Sequence, residues 1–256
     1  MNPTIELLNA RCSTRAYDQS RPPTEEEKAA ILHAAVRAPT AGNLMLYTII
    51  EVADQALKER LAQTCDDQPF IARAPWVLVF VADYQKWIDI FRVSDVEALE
   101  GVEHRAVPGP GDLLLACSDA LIAAQNAVIA AESLGIGSCY IGDVLEQGET
   151  HAELLGLPAH TLPIAMVCFG RPAKPRRLVP RYEKHVVHKD RYERLSDDEV
   201  REASAELGRL LAPRGFGGGA ANIGQDVYRR KFCAGFTHEL DRSVRWWMAR
   251  WEAPEA

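Results

Sequence analysis

Arg11, Ser13 and Arg15 alternate along NARCSTRAYD (Asn9 to Asp18), just after a short helical pattern. In an extended segment alternate residues share one face, so two guanidiniums and a hydroxyl project together. Planar, permanently charged donor forks of this kind suit a phosphate or the anionic edge of a ring. The same residues also fit ordinary surface charge following a helix. Cys12 lies between the arginines, and nearby positive charge lowers a thiol pKa, yet a spectator thiol is the plainer reading. No G-x-S-x-G occurs, and no serine or cysteine stands in the context of an activated nucleophile.

A second basic run, KPRRLVPR, offers Lys174, Arg176, Arg177 and Arg181. It reads as solvated charge unless it converges with the first cluster on one anionic ligand. A third feature is RAPTAGNLMLYTIIEV, from Arg37 to Val52, where a helix stops at Pro39 and an apolar β-branched run follows. Between them Thr40, Ala41, Gly42 and Asn43 form a turn poor in side chains. Such a turn leaves backbone amides and carbonyls, with one side-chain amide, open to something planar and polar.

Other nucleotide signatures fail. GIGSCYIG has Gly135 and Gly137, but Tyr140 stands where the third glycine of G-x-G-x-x-G belongs, and the motif precedes a strand instead of following one. No Walker A lysine occurs, so a nicotinamide nucleotide would not be held by a Rossmann unit. GFGGGAANIG reads as a mobile loop; Arg214, Arg229 and Arg230 flank it as exposed helix charges or as contacts for a 2′-phosphate. His185-Val-Val-His188 lacks carboxylates or thiols at ligand spacing, and no metal is expected.

These residues need elements to position them. Pro3 to Arg11 reads as a short helix with Ile5, Leu7 and Leu8 on its apolar side. Thr24 and Glu27 fit a capping box for the next helix, which exits at Pro39. LYTIIEVA, PWVLVFVAD, SCYIG and LPIAMVCFG read as strands, and Asp54 caps a helix between the first two. Residues from about 93 to 110 read as a loop, and those around 144 to 155 as a polar helical stretch. Gly111 to Leu134 is a helix apolar nearly all round, which needs cover on every side, part of it from a second subunit. The segment after Arg171 is punctuated by proline and basic; Ser196 then caps another helix, and a final helix carries VRWWMARW. Helices and short strands alternate without regular βαβ spacing, which predicts α+β architecture with a mixed sheet flanked by helices. No linker separates two domains.

Composition sets the outer bounds. The chain has 256 residues, 47% hydrophobic and 25% charged, as for an ordinary globular protein. A formal charge of −7 argues against a nucleic-acid or anionic-membrane surface. Six scattered cysteines without a CxxC pair fit reduced, mostly buried thiols. MNPTIELLNARC has no basic n-region before an apolar core, so a cytoplasmic protein is expected. The most apolar stretch, Leu113 to Ala131, is interrupted by Asp119, Gln125 and Asn126 and suits a buried helix better than a membrane span.

Together the segments RCSTRAYD, RAPTAGNLMLY, DQPFIARAPWVLVFVAD, DALIAAQNAVIAAESLGIGSCYIGD and VCFGRPAKPRRLVPRY resemble the nitroreductase family of FMN-dependent NAD(P)H oxidoreductases, over about Ile5 to Tyr192 and in order. The resemblance implies a dimeric core over residues 1–192, with residues 193–256 as a C-terminal helical extension of the same globular unit. It implies that Arg11, Cys12 and Ser13 lie at the FMN phosphate and ribityl chain, with Arg181 closing on the phosphate. Arg15 would face the pyrimidine edge, Gln68 would read the polar edge of the ring, and Tyr140, Ile141 and Gly142 would pass over it. Pro39, Thr40, Ala41 and Asn43 would lie against the flavin of the partner subunit. A ping-pong reaction follows, from NADH or NADPH to an electron-poor acceptor such as a quinone or nitroaromatic, with the cofactor carrying the chemistry. One dedicated substrate (an enone or halogenated aromatic) and a non-catalytic flavin-binding scaffold are the alternatives. One departure stands out: many members continue N-x-Q-P where this chain has Asn43-Leu44-Met45-Leu46.

Overall fold

The apolar runs form the strands their patterns predict, and each strand sends alternate side chains to two different cores. In the computed structural model, which describes residues 2–254, β1 (Tyr47–Glu51), β2 (Trp76–Asp83), β3 (Gly137–Ile141) and β4 (Thr161–Gly170) form one sheet in the order β1-β2-β4-β3. On fully buried β2, Val77, Val79 and Val81 enter one cluster while Trp76, Leu78 and Phe80 enter the other. That period of two identifies a strand covered on both faces.

α+β architecture holds, but the sheet differs from the mixed one expected. Among the described residues all three ladders are antiparallel, and parallel pairing is confined to a single bridge, Ser13 with Ser138. The register slips between Phe80 and Val81, opposite Pro163 and Ala165. A proline cannot donate to a ladder, and a bulge is where a central strand tolerates one.

Helices close both faces. α1 (Pro3–Ala10) lies on the surface with Ile5 and Leu8 exposed, so its apolar side is less buried than its sequence suggests. α2 (Glu25–Val36) starts at the expected capping box, Thr24 and Glu27 each accepting from the other's backbone N–H. It packs with α6 (Pro110–Ser133), whose Ala120, Ala123, Ala124, Ala127 and Ala131 let the helix lie close on one face of the sheet. α3 (Gln55–Thr64), capped by Asp54, and α4 (Pro69–Ala72) cover the other face together with α7 (Gly148–Leu154). α5 (Gln85–Val93) follows β2.

By contacts the chain divides into two units, Met1–Arg177 with Glu239–Ala256, and Leu178–His238. The second contains α8 (Asp197–Leu211), begun by a Ser196–Glu199 capping box, and the short α9 (Ile223–Val227). α10 (Gly235–Trp251) follows, and from Glu239 on it belongs to the first unit, where Trp247 and Trp251 are fully buried. Within the second unit the glycine-rich segment is tied down, since the Arg229 guanidinium donates to the carbonyls of Gly217 and Gly218.

α6 is long and apolar enough to cross a membrane by length and composition. Its three polar interruptions nevertheless have partners within the chain, Asp119 and Asn126 at buried or part-buried positions and Gln125 at the surface. Asn126 donates to the Ala34 carbonyl at 3.1 Å, Gln125 accepts from the Tyr140 hydroxyl at 3.4 Å, and Asp119 holds the loop before β1. Only one side of α6 is covered: Leu114 is 70% exposed, and Leu115, Leu121 and Ile122 are exposed with it.

Candidate functional site

The alternating segment does run extended. Ser13 bridges Ser138, the Thr14 N–H donates to the Ser138 carbonyl at 2.8 Å, and Tyr17 bridges Pro172. The segment therefore lies along β3 and crosses to the exit of β4. Cys12, Thr14 and Tyr17 point inward, Ser13 and Arg15 are exposed, and Arg11 is half-buried. This close approach depends on Gly137, where a Cβ would stand 2.2 Å from Thr14 Oγ1.

All three outward residues bear on β3. Burial pushes the Cys139 thiol up, while Arg15, Ser13 and Arg11 each pull it down. Burial likewise raises the Tyr140 phenol to about 12 against the opposing pull of Arg11. Arg15 lies over the Phe70 ring, with Cζ 5.7 Å from its centroid. Phe70 belongs to α4, which Gln68 precedes. The Gln68 Nε2 donates to Asp143 Oδ2 at 2.7 Å and to the Cys65 carbonyl at 2.9 Å. Both amide hydrogens are thus engaged, leaving Oε1 as the available acceptor. Asp143 directly follows Tyr140, Ile141 and Gly142; Gly142 is exposed, and a Cβ on it would meet nothing within 4 Å. Arg11, Ser13, Arg15, Gln68 and the Tyr140–Gly142 backbone therefore gather on one side of β3.

Among the described residues neither Arg11 nor Arg15 is in an ion pair, whereas other arginines are spent on one. Arg21 pairs with Asp18, Arg171 with Glu27, and Arg176 with Glu132 at the end of α6. Arg176 of the second basic run is thereby accounted for, while Lys174 and Arg177 are exposed. Arg181 lies on exposed irregular chain of the second unit. Arg229 and Arg230, weighed as 2′-phosphate contacts, both pair with Asp226.

The turn before β1 has an unusual backbone. Gly42, Asn43 and Met45 have φ of +55°, +59° and +51°, left-handed values that cost a non-glycine residue about 1 kcal/mol or more. Pro39 and Asn43 are exposed, Thr40 and Ala41 half-buried. Asp119, 3% exposed, accepts from the Thr40 hydroxyl, from Ala41 N at 2.9 Å and from Leu46 N at 3.2 Å. The Trp87 indole N–H donates to the Leu44 carbonyl at 2.9 Å. The apolar departure in this loop has a packing reason: Leu44 lies against one core cluster, Met45 against the other, and Leu46 is buried. Sequence reasoning saw Asp119 only as an interruption, although a carboxylate on the alanine face of a buried helix signals a partner. Asp143 carried no such signal.

Glu146, beside Asp143, is buried. Desolvation, reinforced by Asp143, Asp66 and Glu239, raises its carboxyl to about 7. Unfolded, the group titrates near 4.5, so between there and about 7 the unfolded chain ionises it while the folded protein keeps its proton, and stability falls progressively as pH rises through that window. Glu146→Gln is expected to leave the protein unchanged at pH 4.5 and to stabilise it by about 1–2 kcal/mol at pH 8. Denaturant melts at the two pH values check this; equal offsets at both would refute it.

The site offers two guanidiniums and a hydroxyl as donors, an oriented carboxamide oxygen as acceptor and exposed glycine backbone, which suits a planar ligand bearing a phosphate. The sequence profile of the Nitroreductase family matches residues 8–171. The oxygen-insensitive NADPH nitroreductase of Salmonella typhimurium is 34% identical over 84% of this chain and 85% of its own length. The NADPH-flavin oxidoreductase of Vibrio harveyi is 32% identical over 84% and 85%. The solved structure of the Vibrio harveyi NADPH:FMN oxidoreductase complexed with NAD+ superposes with a TM-score of 0.79 at 26% identity, covering 96% of this chain and 98% of that one.

Proposed function

The chain belongs to the nitroreductase family, and from that premise we propose that it is an FMN-dependent NAD(P)H oxidoreductase reducing electron-poor acceptors such as nitroaromatics or quinones. The observation that carries this is the row of Arg11, Ser13 and Arg15 on one face, with neither guanidinium in an ion pair among the described residues and Gln68 held beside them. FMN, when bound, supplies two-electron redox chemistry between a reduced nicotinamide and the acceptor.

This donor set fits that cofactor. Arg11 and Ser13 hold the phosphate and ribityl chain, and Arg15 faces the pyrimidine edge. A fixed guanidinium there favours the negative charge that reduction places on the ring and so raises its potential. Gln68, its amide hydrogens taken by Asp143 and Cys65, accepts from the ring's polar edge through Oε1. The exposed backbone at Gly142 admits close approach, with Tyr140 and Ile141 leading to it. Cys12 contributes backbone alone, its side chain being turned into the core. All of these residues belong to the first unit, whereas Arg181 belongs to the second.

The outer face of α6, where Leu114, Leu115, Leu121 and Ile122 are exposed in the single chain, is the surface that a second copy of the chain would cover. In that soluble dimer the Pro39–Asn43 turn of one subunit lies against the flavin of the other, its small side chains letting the backbone approach. The decisive experiment is a visible spectrum of the purified protein, followed by mass identification of released ligand and anaerobic addition of NADH or NADPH. A yellow protein that releases FMN and bleaches with either nucleotide is expected. A colourless protein that refuses FMN at saturating concentration would refute the assignment, and a yellow one that neither nucleotide bleaches would replace it with a non-catalytic scaffold.

A further inference from the structure

We infer that Asp119 is a positioning residue for the cofactor: its carboxylate fixes the strained turn that presents Asn43. The inference rests on the FMN reading above and adds to it a residue outside the ligand-contacting set. It begins with an energetic conflict. Two non-glycine residues just after Gly42, Asn43 and Met45, sit at positive φ, a conformation the chain does not keep unless its surroundings enforce it.

The enforcement is visible. Asp119 lies 73 residues or more along the chain from every group it binds, and it is nearly inaccessible to water. Its two oxygens accept from Thr40 Oγ1–H, Ala41 N–H and Leu46 N–H, the two ends of the turn. Thr40 Oγ1 in turn accepts from Met45 N at 2.8 Å, so the carboxylate and one hydroxyl close the turn from both sides. Charge-assisted hydrogen bonds at a buried site are the strong ones. Asp119 also projects from the inner side of α6, whose outer side carries Leu114, Leu121 and Ile122. One rigid helix thus holds the proposed dimer surface on one side and the turn on the other, so that docking a second copy places Asn43 by way of Asp119.

Asparagine at position 119 keeps the shape but offers one acceptor oxygen to three donors and turns an N–H₂ toward another donor. For Asp119→Asn, the FMN Kd measured by flavin fluorescence is expected to rise about tenfold, the scale of one charge-assisted hydrogen bond. Hydrogen exchange at Ala41, Met45 and Leu46 should accelerate by a similar factor while β2 amides stay protected. A general loss of stability would instead speed exchange throughout. FMN affinity equal to wild type overturns the inference whatever the exchange shows. If Asp119→Asn does not fold, Thr40→Val removes one hydroxyl at the half-buried edge of the turn; an effect of the same sign and a few-fold size is expected, and no effect overturns the inference. Failure of the wild-type chain to bind FMN is a separate outcome, which sinks the functional assignment itself.

Discussion

Gly137→Val is expected to destabilise the protein by about 3 kcal/mol, at the upper end of the cost of overpacking, and to abolish FMN retention. A Cβ at this position would lie 2.2 Å from Thr14 Oγ1 and 2.8 Å from Thr14 Cβ. Neither neighbour is the loose end of a flexible chain. Thr14 is buried, and its N–H is tied to Ser138. Relief requires the Asn9–Asp18 segment to leave β3, which separates Arg11, Ser13 and Arg15 from Tyr140–Gly142. Thermal denaturation should show a midpoint lower by about 6–12 °C, and Thr14→Gly in the same chain should recover part of it. An unchanged midpoint would mean that the segment does not depend on this close approach.

Arg15→Ala should act on the ligand and not on the fold. Arg15 is exposed and, among the described residues, without an ion pair, and its contact with the Phe70 ring contributes little to stability. Loss of a charge-assisted contact costs about 1.5–3 kcal/mol, so FMN Kd should rise about 10- to 150-fold, with slower reduction by NAD(P)H and an unshifted melting midpoint. Arg15→Lys keeps the charge but loses the planar fork, and it should recover only part of the affinity. Unchanged FMN occupancy and unchanged reduction rate in Arg15→Ala would remove this residue from the site.

The two variants probe different kinds of information. The arginine–serine alternation is local: three residues, two apart, declare a common face once the chain is extended. The backbone bridge at Ser13 supplies that extension. The helix caps at Thr24, Asp54 and Ser196 are local in the same sense, because a cap and its N–H are three residues apart or fewer. The strands were legible because β2 and β4 are apolar runs bounded by turns. What misled was pairing direction: helices alternating with strands suggested a mixed sheet, while the register of β2, β3 and β4 is antiparallel throughout. Strand direction depends on how the chain returns between strands, which residue patterns within each strand do not encode.

The sequence by itself determined the element types, the cationic row, the side-chain-poor turn and an apolar helix too long for one core face. These follow from periodicity and residue chemistry acting over a few positions. Only the tertiary structure decided that Asp119 reaches back to Thr40, that Gln68 turns its amide to Asp143, that Gly137 makes room for Thr14 and that Arg176 is spent on Glu132. Each of these joins groups 44 to 123 residues apart, counted from the numbers of each pair. Such contacts are fixed by the packing of α6 and α4 against the sheet that contains β3, and buried polar groups take whatever partners that packing brings within reach.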